Sequence, residues 1–299
     1  MRNSLLFAFA VFGVTGCNGG APSPQLQPSM RLLTADYQLA AGQETYLCKW
    51  VTMTEDLLIH SITPVDGQAT HHQVLAIEST KNIPDGLKPC GTQAEFDILT
   101  WKMLFASGVG SPTLTMPDNV ALPVHAGDQL VLQLHLLNAS NQAISSTAAL
   151  DVVTLEPTAQ PQEAQMFLAG PMPVRQVTPD IPVGDNQVVN GSCMFEDTAH
   201  YFAVFPHMHQ IGKHIQVTTT NAGKTSTIYD ADYSFNNQVF AEFKPIEMKP
   251  ADTIGVTCTY DNETGKLVHF GQSSLDEMCF AISYVYPPTA MGFGGFCSQ

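Results

Sequence analysis

Short runs of alternating or apolar residues limit the fold of this chain more than any other feature of its sequence. Gly, Pro, Asn and Asp separate the runs, and no long stretch shows the 3.6-residue period of a helix. Such runs are typical of antiparallel β-sandwiches rather than of α/β units. The runs are ETYLCKWVTM, DLLIHSITPV, HHQVLAIES, DQLVLQLHLLN, ALDVVTLE, HYFAVFPHMH, HIQVTTT, DTIGVTCTYD and CFAISYVY.

The two halves of the 299-residue chain resemble each other, and the length allows two sandwiches. VHAGDQLVLQLHLLN in the first half aligns with MKPADTIGVTCTYDN in the second, so Asp128 matches Asp252 and Asn138 matches Asn262. A segment with paired histidines precedes each copy. We therefore expect two copies of one sandwich, each with a histidine site, and a boundary near residues 157–163, where proline is frequent.

The first 17 residues have the features of an export signal. Arg2 is followed by the apolar run SLLFAFAVFGV, and the tetrapeptide VTGC at Cys17 resembles the lipobox of bacterial lipoproteins. Residues 18–34 are typical of a flexible tether. We expect an exported protein of the bacterial cell envelope, in the periplasm or on the outer surface, anchored through a lipid on Cys17. A plain secretory signal cleaved nearby is the alternative, and it also means export.

Charge narrows the range of partners. The formal net charge is -15, which disfavours nucleic acid and anionic membrane surfaces. Beyond the signal, no apolar run approaches the length needed to span a membrane. We therefore expect a small-molecule substrate and a reductant as partners, and membrane contact only through the lipid anchor.

The cysteines predict disulfide bonds. The chain has seven cysteines, so an even number remains if Cys17 carries the lipid. In an exported chain these are expected to form disulfides, although the residues alone leave the pairing open. No C-x-x-C pair is present, which disfavours a thiolate zinc site or a thioredoxin-like centre.

Paired histidines are the strongest functional signal. His207 and His209, in FPHMHQIG, are two residues apart and would share one strand face. His71 and His72, in THHQVLAIE, are neighbours and could bind one metal only at a strand end, a bulge or a loop. The remaining histidines outside the motifs lack a matching partner and are expected to be structural: His60, His125, His200, His214 and His269.

The segments ETYLC, THHQVLAIE, LQLHLLN, FPHMHQIG and SSLDEMCF occur in the order and approximate spacing of one family. They resemble the copper type II, ascorbate-dependent monooxygenases, which include peptidylglycine α-hydroxylating and dopamine β-hydroxylating enzymes. The resemblance runs from about residue 35 to the end. It implies two jelly-roll-like antiparallel β-sandwiches, 35–157 and 163–299, each holding one copper.

The resemblance also implies two different ligand sets. The electron-transferring copper would take His71, His72 and His135, and the oxygen-activating copper would take His207, His209 and Met278. Imidazoles bind copper in both oxidation states and a thioether favours Cu(I), whereas zinc rarely selects methionine. Gln133 shares the strand face of His135 and could bond to an imidazole. Tyr46 is either a residue of this kind or an ordinary strand tyrosine.

Family resemblance further implies the disulfides and the reaction. The pairs would be Cys48–Cys90, Cys193–Cys297 and Cys258–Cys279. The reaction would be hydroxylation of a substrate C–H bond by O2, with ascorbate or a similar one-electron reductant. An exported copper-binding or copper-delivery protein without turnover is the alternative function.

Three positions predict the substrate class. The peptide-amidating branch of the family has Arg, Asn and Tyr where this chain has Phe205, Phe280 and Ile282. Apolar side chains leave a buried carboxylate without a partner, which costs several kcal/mol. We therefore expect an apolar or weakly polar small molecule rather than a glycine-extended peptide.

Overall fold

The computed structural model describes residues 24–79, 83–90, 101–171, 180–271 and 273–290, with the backbone of 296 and 297. These residues form strands, turns and loops without a helix, so none of them provides a helix able to cross a membrane. The predicted all-β class is confirmed. Cys17, for which the sequence predicts a lipid, lies outside the described residues.

Every run that the sequence predicts as a strand overlaps a strand of the structure. The strands up to residue 163 are β1 (Met30–Leu39), β2 (Glu44–Thr52), β3 (Leu57–Val65), β4 (Thr70–Glu78), β5 (Gly86–Pro89), β6 (Trp101–Gly108), β7 (Leu114–Thr115), β8 (Val120–Val124), β9 (Gln129–Leu137), β10 (Ile144–Thr154) and β11 (Gln162–Glu163). The later strands are β12 (Gln165–Ala169), β13 (Gly184–Met194), β14 (Ala199–His207), β15 (Gly212–Asn221), β16 (Lys224–Asp232), β17 (Ala241–Met248), β18 (Thr253–Asn262), β19 (Phe280–Tyr286) and β20 (Phe296–Cys297).

These strands form four sheets. Sheet I has the order β1-β10-β3-β8-β11, with β7 paired to β3, and sheet II has the order β5-β2-β9-β4-β6. Sheet III has the order β17-β14-β19-β12-β20, and sheet IV has the order β13-β18-β15-β16. The ladders are antiparallel except for β11 with β8 and β12 with β20.

Burial shows that sheets II and III are the inner layers. Strand β18 of sheet IV alternates between buried and half-buried residues, as a sheet with one solvated face does, whereas β9 of sheet II is buried from Gln129 to Leu136. One apolar cluster joins sheets I and II to the face of sheet III that carries Phe205, and a second fills the space between sheets III and IV. Sheets II and III therefore face each other across the junction of the two halves.

Two buried asparagines show that the halves repeat one local pattern of hydrogen bonds. The amide of Asn138 donates to the carbonyl of Gln142, and its oxygen accepts from both the backbone N–H and the hydroxyl of Ser140. Asn262 makes the same bonds to Lys266 and to Thr264. The predicted match between these two asparagines is confirmed.

The aspartates at the start of β9 and β18 repeat as well. Asp128 accepts the N–H of His125 at 2.8 Å, and Asp252 accepts the N–H of Lys249 at the same distance. The backbone carbonyl of each aspartate accepts an N–H from the first residue after a neighbouring strand. That strand is β2 in the first half and β13 in the second. Strand β2 therefore corresponds to β13, and β9 corresponds to β18.

This correspondence corrects one expectation about the histidines. His72 pairs with His135 between β4 and β9, and the equivalent pair between β15 and β18 is His214 with Thr259. The H-x-H segment lies on β14 of sheet III, so it is not the counterpart of the histidine pair on β4. The prediction that the two copies carry histidines at equivalent places was wrong, because histidine content, rather than strand order, guided that part of the alignment.

Two of the expected disulfides are present. Cys48 is bonded to Cys90, and Cys258 is bonded to Cys279. Cys193 is also in a disulfide, but the side chain of Cys297 lies outside the described part of the chain, so that pairing stays a prediction. Structural disulfides fit an exported protein.

Candidate metal centre

Three histidines of sheet II converge on one point. The ring nitrogens of His71, His72 and His135 that could bind a metal all lie within 4.8 Å of one another. The two neighbouring histidines reach the same point because the β4–β9 register shifts between Thr70 and His72, so the strand is irregular there. This is the departure from a regular strand that the adjacent pair requires.

The protonation states of this cluster suit a metal. Burial lowers the pKa of His71 to about 3 and lowers the pKa of His72 well below its usual value, with neighbouring imidazoles acting in the same direction. Burial also lowers the pKa of His135. Neutral imidazole is the form that binds metals, so these rings need lose no proton at neutral pH.

Hydrogen bonding supports the same conclusion. Both ring nitrogens of His71 are buried and make no hydrogen bond of normal geometry with the described residues, although the backbone of Phe235 lies close to the ring. Buried nitrogens of this kind are costly unless a ligand binds them. The Nδ1 atoms of His72 and His135 lie 3.3 Å apart. Two nitrogens at that separation can both reach one metal about 2 Å away. The residues therefore fit a bound metal ion.

Tyr46 belongs to this cluster. Its ring stacks on that of His135, with centroids 4.3 Å apart and an interplanar angle of 2°. The ring of Phe235, from the loop before β17, lies 4.0 Å from that of His71. These two aromatic rings fix the planes of the imidazoles from opposite halves of the chain.

The second group lies where β14 of sheet III ends. Strand β14 stops at His207, so His209 lies beyond the strand rather than on its face as predicted, yet the two ring centroids are 5.2 Å apart. Burial lowers the pKa of His207 to about 4 and that of His209 well below its usual value. Met278 lines the same cavity and is 5% exposed.

The Nδ1 atoms of this pair are already engaged. His207 Nδ1 lies 2.8 Å from Oε1 of Gln238, and His209 Nδ1 lies 3.2 Å from the carbonyl of Asp276. Because Nδ1–H donates a hydrogen bond to these oxygens, Nε2 of each ring carries the lone pair that can bind a metal. Two imidazoles and a thioether form a donor set that Cu(I) accepts and that zinc rarely uses.

A single buried carboxylate connects His209 to Met278. Glu277 accepts the backbone N–H groups of His209 and Ile211, both at 2.8 Å, and that of Met278 at 3.2 Å. Burial raises its pKa to about 7, and the N–H bonds act against that rise. The hydroxyl of Tyr260 holds the carbonyl of Met278 at 2.7 Å, so the backbone of the thioether residue is fixed on both sides.

The two groups adjoin across the junction of sheets II and III. The ring centroids of His72 and His207 are 6.2 Å apart, and both residues line one cavity. Gln133 also lines this cavity, from the sheet II side. Sequence reasoning treated the sites as two separate centres, whereas the fold brings them to one place.

Apolar side chains form the sheet III wall of the cavity. Phe205, Phe280 and Ile282 all line it, together with Leu168. The Phe205 ring lies 6.2 Å from the His207 ring with 19° between the planes, as expected for residues on one strand face. The described lining contains no arginine or lysine.

Histidines outside the two groups have ordinary partners. His60 contacts the carbonyl of Val120, His125 lies near Asp56, His200 stacks on Tyr286, His214 contacts Asp230 and Asp232, and His269 contacts Asp180. Sequence reasoning missed Phe235, Gln238 and Glu277. Glu277 lies inside the quoted motif SSLDEMCF, which was a usable signal, whereas nothing in the sequence marks Phe235 or Gln238.

A family model with copper in its name and known proteins named as a monooxygenase or a hydroxylase are similar to this chain. The family model described as "Copper type II ascorbate-dependent monooxygenase, C-terminal domain" matches residues 164–297. "Peptidyl-glycine alpha-amidating monooxygenase A" of Xenopus laevis is 26% identical over 279 residues, covering 87% of this chain and 29% of the relative. "Dopamine beta-hydroxylase" of Homo sapiens is 22% identical over 302 residues, covering 90% of this chain and 48% of the relative.

The fold and the site define an all-β protein whose buried, neutral histidines can bind a metal. With these matches, residues 164–297 belong to the C-terminal-domain family of the copper type II, ascorbate-dependent monooxygenases, and the chain as a whole is similar to proteins of that family. The chain spans less than half the length of the two relatives described here.

Proposed function

We propose that this protein is a copper-dependent monooxygenase that hydroxylates a C–H bond with O2 and a one-electron reductant such as ascorbate. One observation carries the proposal: a single apolar cavity is lined by His72 of the first group and by His207, His209 and Met278 of the second. A copper-delivery protein must exchange its metal with a partner, and a ligand set as buried as this one opposes that exchange.

We propose two coppers per chain, one held by each ligand set. When bound, copper would supply one-electron redox chemistry and the activation of O2. The chain itself contributes neutral imidazoles, kept so by burial, and fixes their orientation through Gln238 and the carbonyl of Asp276. The surrounding apolar side chains exclude water from the place where a substrate C–H bond would lie.

The substrate we propose is an apolar or weakly polar small molecule, aromatic or aliphatic. Support comes from the wall formed by Phe205, Phe280 and Ile282 and from the lack of a cationic side chain in the described lining. A carboxylate buried there would lose its hydration without a partner, at a cost of several kcal/mol. A glycine-extended peptide therefore fits poorly.

We also propose that residues 35–157 and 163–299 are two jelly-roll-like sandwiches and that Cys193 pairs with Cys297. We propose a lipid-anchored protein of the bacterial cell envelope as the setting, with no partner beyond substrate and reductant. Support comes from the repeated hydrogen-bond pattern of the halves and from the disulfides, which suit an oxidising compartment. Peptide mapping under non-reducing conditions tests the remaining disulfide.

Oxygen consumption tests the proposed activity. Copper-loaded protein should consume O2 in the presence of ascorbate and a suitable substrate from a panel of small aromatic and aliphatic compounds, and the product should gain one oxygen atom from 18O2. His207→Ala should abolish this activity, whereas His214→Ala, at a half-buried histidine outside the cavity, should retain it. Full copper loading without substrate-dependent O2 consumption across the panel would favour the copper-binding alternative.

A further inference from the structure

A carboxylate lies at the edge of the first histidine group, beside His135. Glu44, the first residue of β2, places Oε1 at 2.7 Å from Nε2 of His135 and at 3.1 Å from the hydroxyl of Ser274. The His135 side chain is 2% exposed and that of Glu44 is 37% exposed, so the bond passes from the buried ring to a partly solvated acid.

This contact determines which nitrogen of His135 carries the proton. A carboxylate only accepts, so His135 must donate through Nε2–H, and Nδ1 of the neutral ring keeps its lone pair. That Nδ1 is the atom 3.3 Å from Nδ1 of His72, on the side where the three histidines converge. Tyr46 stacks on the same ring and fixes its plane.

The second bond of Glu44 comes from the other half of the chain. Ser274 lies in the segment that leads to Glu277 and Met278, and its hydroxyl donates to the same oxygen that accepts from His135. The carboxylate is thus oriented by the very segment that carries the thioether. Strands β2 and β9 bring Glu44 close to His135, and the bond from Ser274 adds an orienting contact from the second half.

We propose that Glu44 is a positioning residue that sets the tautomer and the electron-donating strength of His135 at the first copper site. This inference rests on the proposed function, in which His71, His72 and His135 bind the electron-transferring copper. A ligand histidine whose other N–H donates to a carboxylate is a stronger donor. A stronger donor stabilises the oxidised ion, so Glu44 makes this site the better reductant of the two.

The variants separate charge from hydrogen bonding. In Glu44→Gln the amide oxygen can still accept from His135, but the negative charge is lost. Glu44→Ala removes both, and Ser274→Ala removes only the bond that orients the acid. Glu55→Gln is the matched control, because Glu55 is an exposed acid of the same half and its replacement changes the net charge equally.

The first readout needs no metal. Nitrogen-15 NMR of the metal-free, full-length protein should show His135 protonated on Nε2 in the wild type and in Glu44→Gln. Glu44→Ala should show a mixture of tautomers. A wild-type His135 protonated on Nδ1 would overturn the proposal whether or not the protein binds copper.

The second readout is the reduction potential of the first copper site. At a fixed solution potential, Glu44→Gln should raise the Cu(I)/Cu(II) ratio by about tenfold, which is about 59 mV for a one-electron couple. Glu44→Ala should also weaken copper binding by ~10–100-fold, and Ser274→Ala should have a smaller effect of the same sign.

A ratio in Glu44→Gln equal to that of Glu55→Gln would overturn the tuning role while leaving copper binding intact. Failure of the wild-type histidines to bind copper would instead refute the proposed function, and the NMR result would still decide the tautomer.

Discussion

A glycine of the first half should control the second ligand group. Gly108, at the end of β6, lies against Gln238, whose Oε1 bonds to Nδ1 of His207. A Cβ added at Gly108 would lie 2.6 Å from Cβ of Gln238 and 3.2 Å from its Cγ and Cδ. Because the closest atom belongs to the rigid base of the side chain, Gly108→Ala must move Gln238 as a whole.

The geometry gives the size of the effect. Carbon atoms in contact lie ~3.5–4.0 Å apart, so Gln238 must shift by about 1 Å. The bond to His207 is 2.8 Å long, and a shift of that size away from the ring breaks it. The overpacking should cost ~1–3 kcal/mol of unfolding free energy. Loss of the partner of His207 should weaken copper binding there by ~10–100-fold.

Urea unfolding and competition with a Cu(I) chelator measure the two effects. Gln238→Ala should weaken the second site without the clash. In the double variant Gly108→Ala/Gln238→Ala, the alanine at 108 should cost little additional stability. If Gly108→Ala alone leaves both stability and the affinity of the second site unchanged, the two halves do not meet as described and Gln238 does not position His207.

Four further predictions concern the substrate, the pH dependence of copper affinity and of stability, and the anchor. Phe205→Arg should improve the binding of glycine-extended peptides, measured by competition; efficient amidation-type turnover of such peptides by the unaltered protein would refute the apolar pocket. Because burial lowers the pKa of His71 to about 3 and of His207 to about 4, copper affinity should stay nearly constant from pH 7 to pH 5; a tenfold loss per pH unit would contradict neutral imidazoles. The same shifts should make metal-free protein less stable as pH falls below about 6.5, by ~1.4 kcal/mol per pH unit for each such group, since the unfolded chain binds those protons first. Cys17→Ser should release the protein from the membrane fraction, and recovery of the wild type as a soluble exported protein would argue against the lipid.

Local pattern was sufficient to predict the strands. Strand β18 alternates between half-buried and buried residues along its whole length, and its alternating sequence TIGVTCTYDN predicts that. The repeated hydrogen-bond pattern was also visible, because Asn138 and Asn262 make bonds within four residues of themselves. Such contacts depend on neighbouring sequence alone.

Contacts between distant residues were not predictable in this way. Glu44 meets His135 across 91 residues and Ser274 across 230, and neither separation leaves a periodic signal. Gln238 reaches His207 only because its loop docks on the first half, where its N–H bonds to the carbonyl of Val109. Ligand identity could be read from motifs, whereas the residues that orient the ligands depend on how the sheets pack.

Anaerobic titration of the purified, full-length protein with Cu(I), followed by X-ray absorption, tests the central claim most directly. We predict two coppers per chain and one sulfur scatterer, contributed by Met278 beside His207 and His209. Met278→Ile should remove the sulfur signal and weaken that site while the site of His71, His72 and His135 stays loaded. Binding of one copper or none, or a sulfur signal that survives Met278→Ile, would contradict the account.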